Sequence, residues 1–216
     1  MLETSILPGV DQPVIVAGTP PERAQAALIL LHGRGASAQD ILLSVPTFDH
    51  PNFTYLAPQA PDNAWYPLPF SAPLQDNEPQ LSSSLECVSN LLTYLSHSGI
   101  SPERTILLGF SQGACLSMEY AARNARRYGG VAGLSGGLIG PDDLQRDDHG
   151  SLEGTPIFLG CSDVDPYISK YRVQHAADVL SALGGSINLR FYPNMGHTTN
   201  EDELNHVRKL MDTIHL

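Results

Sequence analysis

A chain of 216 residues, 42% of them hydrophobic, is long enough to bury a core without disulfide or metal staples, and its composition excludes a disordered polymer. The formal net charge of −11 excludes the basic face that a nucleic acid or an anionic membrane surface would need. Charged residues make up only 16%, against roughly 25% in ordinary globular domains, so uncharged polar side chains must cover much of the surface.

In chain order, residues 1–10 carry Glu3 and Pro8 and lack both the basic region and the apolar stretch of a signal peptide. No apolar run approaches the roughly 18 residues of a membrane span. The expected location is therefore cytoplasmic. That location fits the three widely spaced cysteines, Cys87, Cys115 and Cys161, which form neither a disulfide framework nor a zinc motif and read as free, buried thiols. Pro13–Ala17 and Ala26–His32 read as strands. The second, AALILL up to Leu31, is apolar throughout, as in a parallel sheet covered on both faces. Leu31-His32-Gly33-Arg34-Gly35 leaves that strand as a loop in which flanking glycines let the Arg34 N–H approach a ligand, while His32 is expected to pack inside and bond loop backbone. A phosphate cradle is excluded there, because neither nucleotide glycine pattern is present.

A third strand, Phe53–Ala57, leads into the stretch 58–80, which holds six prolines together with Trp65, Tyr66 and Phe70. Such a stretch is neither helix interior nor central strand. It is a linker or a long ordered loop over a site, and three aromatics within six residues favour the loop. Leu81, Leu85, Val88, Leu92 and Leu95 recur at helical spacing. Arg104–Phe110 is another buried strand, followed by a segment of helical character over 114–127. Gly130–Leu134 and Pro156–Gly160 are further strands, separated by a polar, mobile-looking stretch containing Asp142, Asp143, Asp147 and Asp148. Ala176, Val179, Leu180 and Leu183 mark a second helix, Ile187–Tyr192 a last strand, and Leu204, Val207, Leu210, Met211 and Ile214 a last helix. Thr199 with Asp202, or Asn200 with Glu203, can form its capping box. Strands alternating with helices predict an α/β fold with a mostly parallel central sheet flanked by helices, one domain over 1–216, and no room for a large cap domain.

The chemistry centres on Gly109-Phe110-Ser111-Gln112-Gly113. This G-x-S-x-G sits between a buried strand and a helix, the context of a nucleophile elbow, which forces the serine into a sharp turn and projects its hydroxyl from the sheet edge. Serine needs a base. His197, in Asn194-Met195-Gly196-His197-Thr198 after the last strand, is the candidate, whereas His50, His97, His149, His175, His206 and His215 read as solvated. An acid should orient the imidazole, and Asp163 and Asp165 both follow the strand Pro156–Gly160. The oxyanion needs two N–H donors, expected from Gln112 and Arg34.

The segments LHGRGAS (31–37), APQAP (57–61), GFSQGA (109–114), DPYI (165–168) and MGH (195–197), in this order, resemble the α/β-hydrolase superfamily and within it the phospholipase/carboxylesterase family that includes acyl-protein thioesterases. The resemblance implies a carboxylesterase with an acyl-enzyme intermediate, Ser111 as nucleophile, His197 as base, Arg34 and Gln112 at the oxyanion, and no metal or organic cofactor. The family pattern after the strand favours Asp165 as acid, because it keeps the Pro and the spacing to Ile168, with Asp163 as the alternative. Arg34 stands where acyl-protein thioesterases commonly have leucine, which places a cation at the pocket mouth and points to substrates with a polar or anionic part. Trp65, Tyr66, Leu68, Phe70 and Met195 are expected to line the substrate pocket, although Trp65 would serve equally as an anchor for its loop. The exposed loop aromatics would suit a homodimer face as well as a pocket. Two other readings stand beside the esterase: a long-chain acyl-protein thioesterase or lysophospholipase, and a non-catalytic binding module on the same scaffold. The partner in the main reading is a small-molecule ester.

Overall fold

A computed structural model describes residues 4–214. The apolar runs become the strands β1 (Thr4–Ser5), β2 (Val14–Gly18), β3 (Ala26–Leu31), β4 (Phe53–Pro58), β5 (Thr105–Phe110), β6 (Gly130–Leu134), β7 (Pro156–Ser162) and β8 (Ser186–Tyr192). They form one sheet in the order β1-β2-β4-β3-β5-β6-β7-β8. β2 runs antiparallel to both β1 and β4, and every later pairing is parallel. Every residue of β3 is buried, as its unbroken apolar sequence requires when helices cover both faces.

Alternate residues of each strand feed two cores. Ala27, Ile29 and Leu31 face α3 (Gln80–His97), α4 (Gln112–Arg123) and α5 (Lys170–Ala182). Ala26, Leu28 and Leu30 face α1 (Ala38–Leu42), α2 (Val45–Phe48) and α6 (Glu201–Asp212). The leucine stripe read from the sequence is the buried edge of α3, where Leu81, Val88, Leu92 and Leu95 pack inward. Among the described residues no insertion builds a cap over the sheet.

Several local expectations are corrected. The helix after Ser111 ends at Arg123 rather than at residue 127. The two short helices α1 and α2 and the strand β1 went unread. The signal for α1 was available in Ser37 and Asp40, which close a reciprocal capping box. The polar stretch after β6 is tied down rather than loose: Arg146 pairs with the buried Glu119 and with Asp148, and Arg172 pairs with Asp142. His206 is not solvated but buried, its ring stacked on Phe158 at 4.4 Å. His50 and His175 are half-buried, His97 and His149 exposed, and His215 lies outside the described residues. The three cysteines are free and buried, as expected.

The α6 cap uses the second predicted pair. The Asn200 side chain accepts the Glu203 N–H at 3.0 Å, and the Glu203 carboxylate accepts the Asn200 N–H at 2.9 Å. Glu203 is also fully buried, and its Oε1 has no partner among the described residues. Burial, opposed by the Asn200 hydrogen bond and assisted by the Asp202 charge, pushes its carboxyl from 4.5 up to about 7. Below about pH 4.5 the group is protonated in folded and unfolded chains alike. Between 4.5 and 7 only the unfolded chain gives up the proton, so the fold loses stability as pH rises, by roughly 3 kcal/mol in all, and nothing further is lost above 7. Glu203→Gln removes this titration. Urea midpoints at a series of pH values should show the variant gaining on the parent between pH 4.5 and 7, whereas a pH-independent difference would contradict the account.

Candidate active site

Ser111 lies between β5 and α4 with φ 53° and ψ −119°, a conformation that costs a non-glycine residue roughly 1–3 kcal/mol. Its neighbours allow the turn. A Cβ on Gly113 would lie 2.0 Å from the Leu31 carbonyl oxygen, and one on Gly109 would lie 2.1 Å from the Gly113 carbonyl oxygen. The Ser111 N–H is held by the Leu134 carbonyl at 2.9 Å, which fixes the elbow to β6. The hydroxyl therefore stands at the carboxyl edge of the sheet, over the positive end of α4.

His197 lies on the loop between β8 and α6. Its Nε2 is 2.9 Å from Ser111 Oγ, and its Nδ1 is 2.7 Å from Asp165 Oδ2. The imidazole is flanked by Phe110 and Tyr167, each with ring centroid 5.0 Å away. Asp165, on the loop after β7, has a fully buried side chain. Its Oδ1 accepts the N–H groups of Tyr167 at 2.9 Å and Ile168 at 3.0 Å. Burial alone would push this carboxyl up; the hydrogen bonds from His197, Tyr167 and Ile168 outweigh it and hold the pKa below the usual carboxylate value. An ionised Asp165 accepts a hydrogen bond from Nδ1–H and so keeps the proton on that nitrogen, leaving Nε2 to accept from the serine hydroxyl, which is the tautomer a general base requires.

Of the two aspartates offered by the sequence, His197 meets Asp165. Asp163 does something else: its Oδ1 accepts the Asn194 N–H at 2.8 Å and pins the start of the His197 loop. Ser162, which the sequence did not single out, holds the same loop, its Oγ accepting the Gly196 N–H at 3.1 Å.

Arg34 and Gln112 flank the serine with a shared design. Among the described residues no carbonyl accepts the backbone N–H of either one. Their side chains meanwhile hold the proline-rich loop. The Arg34 guanidinium donates to the carbonyls of Tyr66, Pro67 and Leu68 at 2.8, 2.9 and 2.7 Å. Gln112 accepts the Trp65 N–H at 2.9 Å and donates to the Tyr66 carbonyl at 2.8 Å. A buried polar group is costly unless paired, so these contacts set the loop's path over the site. The stretch between β4 and α3, residues 59–79, is thus an ordered loop and no linker.

A phospholipase/carboxylesterase family model matches residues 11–215. The chain belongs to the phospholipase/carboxylesterase family. A crystal structure of a phospholipase/carboxylesterase from Dyadobacter fermentans is 36% identical, covers 94% of this chain and 98% of its own, and superposes with a TM-score of 0.90. Acyl-protein thioesterase 1 of Saccharomyces cerevisiae is 28% identical over 84% of this chain and 89% of its own length. A stretch of the Gibberella zeae acyl-protein thioesterase 1 is 31% identical but takes in 56% of this chain and 53% of that one. The fold is that of an α/β-hydrolase, and the chain is an ester hydrolase.

In this carboxylesterase-family chain a cavity of about 670 Å³ opens beside the serine, walled by Arg34, Tyr66, Phe70, Gln112, Ile168 and His197 among others. Tyr66 and Phe70 line it as expected. Trp65, Leu68 and Met195 do not. Trp65 is fully buried, its indole N–H donating to the His32 carbonyl at 2.8 Å and its own carbonyl accepting from Ser84 at 2.6 Å, so it anchors the loop. Leu68 points to solvent while its backbone is held by Asn77 and Arg34. Met195 turns its sulfur to Asn200. The Arg34 cation reaches the cavity wall, and three of its five N–H groups are given to carbonyls of the proline-rich loop, so it clamps that loop beside the site. His32 is structural, as read from the sequence: its Nε2 accepts the Ala60 N–H at 3.1 Å, and burial lowers its pKa. Tyr167 at the cavity mouth was missed by the sequence reading; it follows the chosen aspartate by two positions, and only the folded loop brings it onto His197. No helix among the described residues is long and apolar enough to cross a membrane.

Proposed function

We propose that this chain is a serine carboxylesterase that cleaves small carboxylic esters through an acyl-enzyme on Ser111. The observation that carries the reading is the hydrogen-bonded line from Ser111 Oγ through His197 to Asp165, at 2.9 and 2.7 Å. In this reading His197 takes the Ser111 proton as Oγ attacks the ester carbon. The carbonyl oxygen becomes the oxyanion and receives the Arg34 and Gln112 N–H groups, helped by the α4 dipole. The C–O bond to the alcohol then breaks, His197 Nε2 hands its proton to the departing oxygen, and the acyl group stays on Ser111. Water, deprotonated by the same nitrogen, attacks the acyl carbon; the bond from that carbon to Ser111 Oγ then breaks, His197 Nε2 returns its proton to Oγ, and the acid leaves. Asp165 stabilises the imidazolium in both halves without itself taking the proton.

The acyl-protein thioesterase names of the relatives favour a second reading, long-chain thioester substrates. It shares every catalytic step and differs only in leaving group and chain length. A fluorophosphonate probe tests the common core. Peptide mapping should find one adduct, on Ser111, with p-nitrophenyl acetate hydrolysis lost in proportion. A chain without the adduct would be a binding module on a hydrolase scaffold.

A further inference from the structure

A second cavity, of about 320 Å³, shares His197 with the first and lies between α1 and the start of α6. The two cavities share the imidazole as their partition: Tyr167 flanks it on the first side and Phe110 on the second. The second cavity is walled by apolar Ile41, Phe110, Leu134 and Leu204, and it reaches Gly33, next to the Arg34 amide. Ser111 lines only the first.

We infer that this second cavity is the site for the alcohol half of the ester, and that it selects apolar, uncharged alcohols. The inference rests on the reading of Ser111 and His197 given above and is argued from the order of bond changes together with which residues line each cavity. When the tetrahedral adduct collapses, the alkoxy oxygen takes its proton from His197 Nε2. That oxygen must therefore lie within hydrogen-bond reach of the imidazole, and the alcohol's carbon chain starts there. The acyl group remains bonded to Ser111 after the alcohol has gone, so it belongs in the cavity that contains Ser111. Only the second cavity is lined by His197 and not by the serine. Its departure side is also where water must enter, since deacylation reverses the geometry of alcohol release. Asp40 is the sole residue with a formal charge on this wall, Ser37 holding its carboxyl below the usual range through hydrogen bonds, and a carboxylate there opposes anionic alcohols.

Ile41 is half-buried, lies outside the catalytic groups and lines this cavity. The test compares the parent enzyme with Ile41→Trp and Ile41→Ala on ethyl, butyl, hexyl and benzyl acetates, and on p-nitrophenyl esters of increasing acyl length. Filling the cavity should lower kcat/KM for hexyl and benzyl acetate by about tenfold or more relative to ethyl acetate, the scale of a few methylenes misplaced in an apolar pocket. Ile41→Ala, the variant that keeps the test alive if tryptophan prevents folding, should move the preference to larger alcohols. The profile against acyl length should keep its shape in both. Equal losses for all alcohols, or a change in acyl preference instead, would overturn the inference while Ser111 still labels with fluorophosphonate. Loss of that labelling in the parent enzyme would instead overturn the serine esterase reading on which it stands.

Discussion

Ser111→Ala should lower kcat on p-nitrophenyl acetate by about 10⁴-fold or more while leaving the fold intact. Removing the nucleophile of a triad leaves only binding and oxyanion stabilisation, a residue of about 10³–10⁴ over the uncatalysed rate. The fold should survive because the hydroxyl's only protein partner among the described residues is His197. The elbow is held by the Ser111 N–H to Leu134 and by two glycine contacts, none of which involves Oγ. The thermal midpoint should therefore stay within a few degrees of the parent's. Retained esterase activity at an unchanged midpoint would remove Ser111 from the mechanism.

Asp165→Asn should cost about 10³–10⁴ in kcat at neutral pH, and Asp163→Asn less than about tenfold. The contrast follows from which atoms each carboxylate faces. At position 165 one oxygen accepts two backbone N–H groups, so an asparagine must place its own oxygen there. Its NH₂ then points at His197 Nδ1 and forces the ring into the tautomer with Nε2 protonated, which is unable to accept the serine proton. At position 163 the partner is a single backbone N–H, from Asn194, which an amide oxygen accepts as readily as a carboxylate. Steady-state kinetics on both variants, with thermal midpoints as a control for folding, decides it. An active Asp165→Asn beside an inactive Asp163→Asn would reverse the assignment.

Much of this protein was legible in one dimension. The doubly covered strands announce themselves as unbroken apolar runs because a buried parallel strand has no polar face to declare. The serine turn was readable because its glycines are steric necessities tied to a local strand-turn-helix unit, and the helical stripes because a period of 3.6 is a local property. The order serine, aspartate, histidine matched the pattern of the fold that the motifs resemble.

What resisted reading depends on contacts between distant segments. Asp163 and Asp165 differ only in how the β7 loop folds back, and the amides of Tyr167 and Ile168 turn the second carboxylate toward His197. The Arg34 side chain also has a clamping role that sequence did not show, because three of its donors go to carbonyls more than thirty positions away. Trp65 stayed open between pocket wall and loop anchor, and His206 passed for a surface residue, because burial is decided by packing across the sheet, which composition does not encode. The two cavities on either side of His197 arise the same way. Local sequence chose the elements and the reacting groups; which side of the imidazole each half of a substrate meets was decided only when the helices closed over the two faces of the sheet.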